Sequence, residues 1–357
     1  MQTTEAKESI ELLKRMIEIP SISKEEELLA NFFERSLLGW GLNPERYLNH
    51  VWVKNRAYDE KKPTLLLNSH LDTVKPNSGY TRDPFESKIE DGKLYGLGSN
   101  DAGASVVSLL AAFRHFADRS NLSHNLIFAA SSEEEISGVN GMEALLKVLP
   151  PIHAGIVGEP TGMQMAVAEK GLLVLDCVAM GRSGHAAREE GDNAIYKALQ
   201  DVEWFRDFKF DQVSPLLGPN KMSVTQIQAG IQHNVVPREC QFTVDVRVNE
   251  LYDFDQVLET IKKAVKSEVK PRSFRIKSTS IDLAHPLVQA GSALGLSHYG
   301  SPTTSDKALM PFPTLKIGPG ESARSHTADE FVRVSEIESG IKTYIALLEI
   351  VLKESEA

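Results

Sequence analysis

The run Thr64-Leu65-Leu66-Leu67-Asn68-Ser69 is apolar on both faces that a strand presents, so such a strand needs cover on each side. That requirement selects a sheet held between helices, the layered α/β class. Neighbouring segments agree with it. Apolar periodicity predicts helices near 5–18 and 24–39 and over Ala102–Ala117, a strand over Asn125–Ser131, a helix over Val139–Leu149, and a short strand over Ala154–Val157 after the Pro150-Pro151 break.

From Gly171 the pattern changes. A strand is predicted over Leu172–Met180, a helix over Asn193–Phe208, alternating strands over Ser223–Gln228 and Gln241–Val248, a helix over Phe254–Val269 and a strand over Phe274–Ser280. The order β-α-β-β-α-β is the split layout of a small ferredoxin-like domain, with one sheet face open for packing. After Ile281 the α/β character returns, ending in a strand at Thr314–Ile317 and a helix at Ser335–Leu352. The expected organisation is a discontinuous large domain, 1–170 with 281–357, and an inserted one at 171–280. A chain of 357 residues is long enough for both.

A formal net charge of −10, with no block of Lys and Arg, argues against nucleic acid as a partner. Cys177 and Cys240 form neither a disulfide framework nor a CxxC pair, so any metal has to be held by His, Asp and Glu. At the N-terminus Glu5, Glu8 and Glu11 alternate with Ile10, Leu12, Leu13 and Met16, which reads as an amphipathic helix rather than a secretory leader. No apolar run has the length of a membrane span, and the expectation is a soluble, cytoplasmic protein.

Potential ligands follow one strand end after another. In Asn68-Ser69-His70-Leu71-Asp72 the spacing turns His70 and Asp72 to the same side, a relation that permits a carboxylate to hold a metal-bound imidazole. The glycine-dense Gly96-Leu97-Gly98-Ser99-Asn100-Asp101-Ala102-Gly103 delivers Asp101 to a helix start, where it serves equally as an N-cap. Glu133, Glu134 and Glu135 follow the Asn125–Ser131 strand, and three adjacent carboxylates repel one another unless solvent or a cation screens them. Glu159 stands after the next strand. His326 lies in Ser325-His326-Thr327-Ala328-Asp329-Glu330, beyond the Gly318-Pro319-Gly320 loop. Open α/β sheets bind ligands at the C-terminal ends of their strands, which favours a metal reading of the joint pattern.

The motifs SHLDTV, GLGSNDAG, EEEISG, GEPT, GRSGHAA, HNVVP and SHTADEF occur in this order over nearly the whole chain. In them the sequence resembles the co-catalytic zinc metallopeptidases and deacylases, a family that includes acetylornithine deacetylase, succinyl-diaminopimelate desuccinylase, aminoacylases and glutamate carboxypeptidases. The resemblance implies a zinc-peptidase-like α/β catalytic domain with an inserted dimerisation or lid domain. It implies two divalent ions, zinc with cobalt as a substitute. His70 and Glu159 would serve one ion, Glu135 and His326 the other, and Asp101 would bridge them. Asp72 would orient His70, and Glu134 would be the general acid/base once Ile136 and Gly141 fix the register.

The same likeness makes His185 a residue that reaches the partner subunit's site in a homodimer, and Asn234 a substrate contact. Read as residues, His185 and Asn234 also suit turns. Arg247 is equally suited to a substrate carboxylate or a surface ion pair, and Gly318 to offering a backbone N–H or to a plain turn. The sequence departs from the family at Ala102-Gly103-Ala104, where Lys-Gly usually follows the bridging Asp. The implied activity is removal of an acyl group from an amino acid, with N-acetylornithine in arginine biosynthesis the first choice. Acyl-citrulline, acyl-lysine, succinyl-diaminopimelate and dipeptides are alternatives, and a catalytically silent metabolite-binding relative is the non-enzymatic one.

Overall fold

The computed structural model describes residues 4–353. Two compact units account for them: one takes the residues up to Val167, Ser280–Tyr299 and those from Ser305 onward, the other Ala168–Thr279 and Gly300–Thr304. The return near 281, expected as a single passage, is interrupted at Gly300–Thr304, where the Ser301 carbonyl accepts the N–H of Lys170.

In the first unit the sheet runs in space Glu45–Tyr47, His50–Lys54, Asn125–Ser131, Thr64–His70, Ala154–Val157, Thr314–Lys316. The last four of these are parallel to one another. Every residue of Thr64–His70 and Asn125–Ser131 is buried, as cover on both faces demands. Alternation sorts their side chains. Leu65, Leu67, Leu126 and Phe128 enter the larger core with the helices Thr4–Ile17, Ala104–Phe116 and Val334–Val351, while Leu66, Ile127 and Ala129 pack with Met142, Leu145 and Met310 on the other face. Ala104–Phe116 is buried at all positions but Arg114 and His115, the mark of a helix surrounded by protein. Burial at about 1.5–3 kcal/mol per large apolar side chain makes this core the principal support of the strand ends.

The second unit is an antiparallel sheet in the order Lys221–Ala229, Glu239–Val248, Gly171–Met180, Glu268–Pro271, with helices Ala194–Asp207 and Phe254–Ala264 on one face. That is the ferredoxin-like order. Its second helix ends at Ala264, five residues before the expected Val269, and the last strand is Glu268–Pro271 instead of Phe274–Ser280. Val265 and Val269 keep a helical i, i+4 spacing, but the Asp201 carboxylate accepts the N–H groups of Lys266 and Ser267 at 3.1 and 2.8 Å and ends the helix. The helix expected over Val139–Leu149 is confined to Met142–Leu146. A small sheet of Lys88–Glu90, Lys93–Tyr95 and Phe331–Arg333 went unforeseen, its strands being only three residues long. No helix among the described residues is long and apolar enough to cross a membrane.

Candidate metal centre

Because the parallel strands run the same way, the residues that follow them gather at one edge of the sheet. His70 closes its strand, nearly inaccessible to solvent, with Nδ1 2.8 Å from the Asp72 main-chain carbonyl and Nε2 turned to the Asp101 and Glu159 carboxylates at 3.3 and 3.8 Å. With Nδ1 facing that carbonyl, Nε2 is the nitrogen that meets those acids: protonated, it donates to Asp101, and with a cation between them its lone pair would be a ligand. The Asp72 carboxylate, expected to hold the ring, stands 3.6 Å from Nδ1. Its short contacts are with the next element instead: Oδ1 accepts the N–H of Glu134 at 3.1 Å, and Oδ2 accepts the N–H of Glu135 at 3.1 Å and the Ser23 hydroxyl at 2.7 Å.

The three consecutive acids separate within this turn. Glu133 takes the left-handed conformation, φ 56°, and its side chain turns inward to accept from Asn140 Nδ2 at 3.2 Å. The reversal sends Glu135 across to His326, whose Nε2 lies 2.9 Å from Glu135 Oε2 and 3.6 Å from Asp101 Oδ2. His50, buried beneath the turn, fastens both of its ends: Nδ1 accepts the Ser132 N–H at 3.1 Å and Nε2 donates to the Asn140 carbonyl at 2.7 Å. Burial keeps that imidazole neutral by lowering its pKa. Glu26, fully buried, accepts the Glu133 N–H on Oε1 at 3.3 Å; like Ser23 and His50 it precedes the ligand-bearing strands and carries no motif, and the one signal in the sequence is a His on an apolar strand.

Two groups of ligand atoms result, His70–Asp101–Glu159 and Asp101–Glu135–His326, each with its atoms within 4.8 Å of one another and with Asp101 common to both. Tetrahedral zinc with bonds of about 2.0–2.1 Å sets its ligand atoms roughly 3.3 Å apart, so small adjustments suffice. Glu159 Oε1 is buried with no hydrogen-bond partner, and an orphaned acceptor of this kind is what a cation satisfies. The donor set of nitrogen and oxygen, without thiolate, suits zinc or cobalt.

The electrostatics lead to the same conclusion. Burial, then the neighbouring Asp101 charge, pushes the Glu159 carboxyl up to about 8. Burial also raises Glu135, and raises Glu134 well above its ordinary range with Glu159 and Asp306 assisting. On His70 burial opposes the charge, but the surrounding acids outweigh it and lift the pKa well up. The Glu135 hydrogen bond brings His326 to about 9. Crowded carboxylates hold protons only for want of positive charge, and divalent ions would replace those protons. Glu134 belongs to neither ligand group although it stands among both.

The remaining candidates fall in two places. Gly318 lies beside Glu159: a Cβ there would meet the Glu159 backbone and Ser105 Oγ, so this glycine provides room. Its N–H donates to Thr161 Oγ1 at 3.0 Å, so the donor expected for a substrate is engaged within the chain. In the second unit Gly184–His185 pairs with Val235–Val236, and the Asn234 carbonyl accepts the Ala186 N–H, which brings exposed His185 and Asn234 together on one two-stranded ribbon. Arg247 grips Asp245 through Nε and Nη2 at 2.7 and 2.9 Å and reaches Thr304 with Nη1. The ion pair, one of the two roles open to it, is the one formed.

A parallel α/β core whose strand ends assemble two adjoining imidazole–carboxylate groups is an arrangement suited to metal-assisted hydrolysis. Residues 66–350 match the model described as peptidase family M20/M25/M40, and the chain belongs to that family. Acetylornithine deacetylase of Proteus mirabilis (strain HI4320) is 28% identical to it, over 92% of this chain and 93% of that protein. Succinyl-diaminopimelate desuccinylase of Corynebacterium glutamicum is 25% identical, over 92% of each. An M20 family metallo-carboxypeptidase from Sulfolobus solfataricus has the same fold, with a TM-score of 0.76 at 18% identity over 98% of this chain and 99% of that one.

Proposed function

We propose that this hydrolase cleaves the amide bond of an N-acyl amino acid with two zinc ions, and that N-acetylornithine is its substrate. The observation that carries the proposal is the pair of ligand groups sharing Asp101, with Glu134 beside both and a ligand in neither. In this assignment His70, Asp101 and Glu159 would hold one ion, and Asp101, Glu135 and His326 the other. The chemistry that a divalent ion supplies is a water whose pKa falls from about 15.7 to about 7 and a polarised acyl oxygen.

Glu134 then does the proton work. Its carboxylate takes a proton from the attacking water and returns it to the departing amine nitrogen, so the C–N bond breaks to a free amine and a carboxylic acid. Asp72 fixes the turn that carries Glu134 and Glu135. A zinc identity rests on the donor set; the choice of ornithine rests on the Proteus mirabilis relative.

His185 acts, in this reading, on the acyl oxygen at the site of a second copy, with Asn234 on the same two-stranded ribbon contacting substrate. A homodimer through the second unit is supported by Lys221–Ala229, which among the described residues has a strand neighbour on one side only, and by exposed Ile227, Tyr196 and Leu199. Zinc- or cobalt-reconstituted protein, offered a panel of N-acyl amino acids and dipeptides with ninhydrin detection of free amine, tests the assignment. N-acetylornithine should turn over fastest. Preference for succinyl-diaminopimelate or a dipeptide would replace the substrate, and no turnover of any would remove the reaction.

A further inference from the structure

The second ligand group takes Asp101 and His326 from two loops that flank the paired strands Lys93–Tyr95 and Phe331–Arg333. Asp101 comes from an irregular turn, with Gly98 at φ 76° and Asp101 itself at φ −120°, ψ 98°, and His326 from a loop near the C-terminus. An irregular buried turn leaves backbone N–H groups without helical partners, and each must find an acceptor. In this turn three of them find the same one. Glu330, only 2% exposed, accepts the N–H of Gly98 on Oε2 at 3.1 Å and those of Asn100 and Asp101 on Oε1 at 2.8 and 2.9 Å. Its own carbonyl accepts the N–H of Gly96 at 3.0 Å.

Glu330 stands four residues after His326 and immediately before the strand Phe331–Arg333, whose pairing with Lys93–Tyr95 fixes its backbone. Asn100 completes the joint from the other loop: its Oδ1 accepts the Glu321 N–H at 2.9 Å and its Nδ2 donates to the Glu321 carbonyl at 3.1 Å. One buried carboxylate therefore ties the turn that supplies the shared ligand to the loop that supplies the second imidazole. It does for Asp101 what Asp72 does for Glu134 and Glu135.

We infer that Glu330 is a positioning residue that sets the Asp101 carboxylate between the two ion sites and holds the His326 loop against it. This rests on the two-ion reading of Asp101. Ligand sets tolerate displacements of about 0.5 Å, and outer partners of ligands typically contribute 10–100-fold to metal affinity. Glutamine keeps the shape of Glu330 but must turn an NH₂ toward one set of N–H donors. Since Asp101 and His326 both belong to the group completed by Glu135, that ion should suffer most.

The test is titration of metal-free protein with cobalt(II), read by visible absorption and by equilibrium dialysis, so that turnover is not needed. Wild type should take up two equivalents. Glu330→Gln should retain the far-ultraviolet circular dichroism of wild type, bind one ion with near-native affinity, and bind the second about 10–100-fold more weakly with an altered spectrum. Asp329→Asn, which removes the neighbouring charge and exchanges the oxygen that accepts from the Thr81 hydroxyl for an NH₂, should leave both equivalents and the spectrum unchanged. If wild type binds no ion, the two-ion reading fails; if wild type binds two and Glu330→Gln binds them identically, the Glu330 assignment alone is overturned. Should the glutamine variant not fold, hydrogen exchange on wild type decides: slow exchange at Gly98, Asn100 and Asp101 supports the clamp, and exchange at free-amide rates overturns it.

Discussion

Replacing Asp72 by asparagine changes almost no volume and no backbone, yet it should loosen the turn on which Glu134 and Glu135 sit. The carboxylate is fully buried and uses both oxygens, Oδ1 for Glu134 N–H and Oδ2 for Glu135 N–H and Ser23 Oγ–H. In asparagine one of those oxygens becomes an NH₂ group, and whichever way the amide is turned it faces a backbone donor. A hydrogen bond to a charged group contributes about 1.5–3 kcal/mol, and a buried donor left without an acceptor costs about 1–3 kcal/mol. Local relaxation recovers part of that, leaving a net loss of roughly 2–3 kcal/mol. For a domain of about 150–250 residues each kcal/mol lowers Tm by about 2–4 °C, so metal-free Asp72→Asn should melt roughly 4–12 °C below wild type. Thermal unfolding followed by circular dichroism in chelator gives this number without interference from bound ions. Zinc affinity, measured separately, should fall about 10–100-fold. Unchanged Tm together with unchanged zinc affinity would refute the claim that Asp72 holds the acidic turn.

Glu134→Gln should bind the wild-type complement of metal while kcat falls by about 10²–10⁴-fold, and a variant with near-native kcat would free Glu134 of its proton-transfer role. For metal-free protein the pH dependence follows from raised carboxyls: Glu159 titrates at about 8 when folded against an ordinary 4.5, and Glu330 likewise at about 8. A group whose pKa is higher in the folded state stabilises the fold below its unfolded pKa and loses that contribution as pH rises through the folded value. The raised His326, at about 9, acts with the same sign. Metal-free protein should therefore melt lower at pH 8 than at pH 5.5, and saturating zinc should abolish or reverse the trend; a metal-free Tm that climbs over this range would contradict the electrostatic account.

The sequence made the strand ends legible because their signal is local. Thr64–His70 and Asn125–Ser131 are apolar on both faces, and the polar residues that follow them stand out against that background. Arrangements that depend on distant partners were not legible. Asp201 ending the second helix of the inserted unit, 65 positions before Lys266, overrides an unbroken helical spacing. The Asp72 carboxylate reads from its spacing as the partner of His70, but the His70 ring is met by the Asp72 main-chain carbonyl, and the carboxylate is drawn to backbone N–H groups 62 and 63 positions away. Arg247 illustrates a third limit, since a guanidinium fits a ligand carboxylate and the nearby Asp245 equally well, and only the folded strand decides.

Metal stoichiometry tests the centre of this account most directly. Inductively coupled plasma mass spectrometry on protein stripped with chelator, reloaded with zinc and passed through a desalting column should find two zinc ions per chain in wild type, about one in Glu159→Ala or His326→Ala, and none retained in Asp101→Ala. Wild-type protein that emerges without zinc, or an Asp101→Ala variant that keeps both ions, would contradict it.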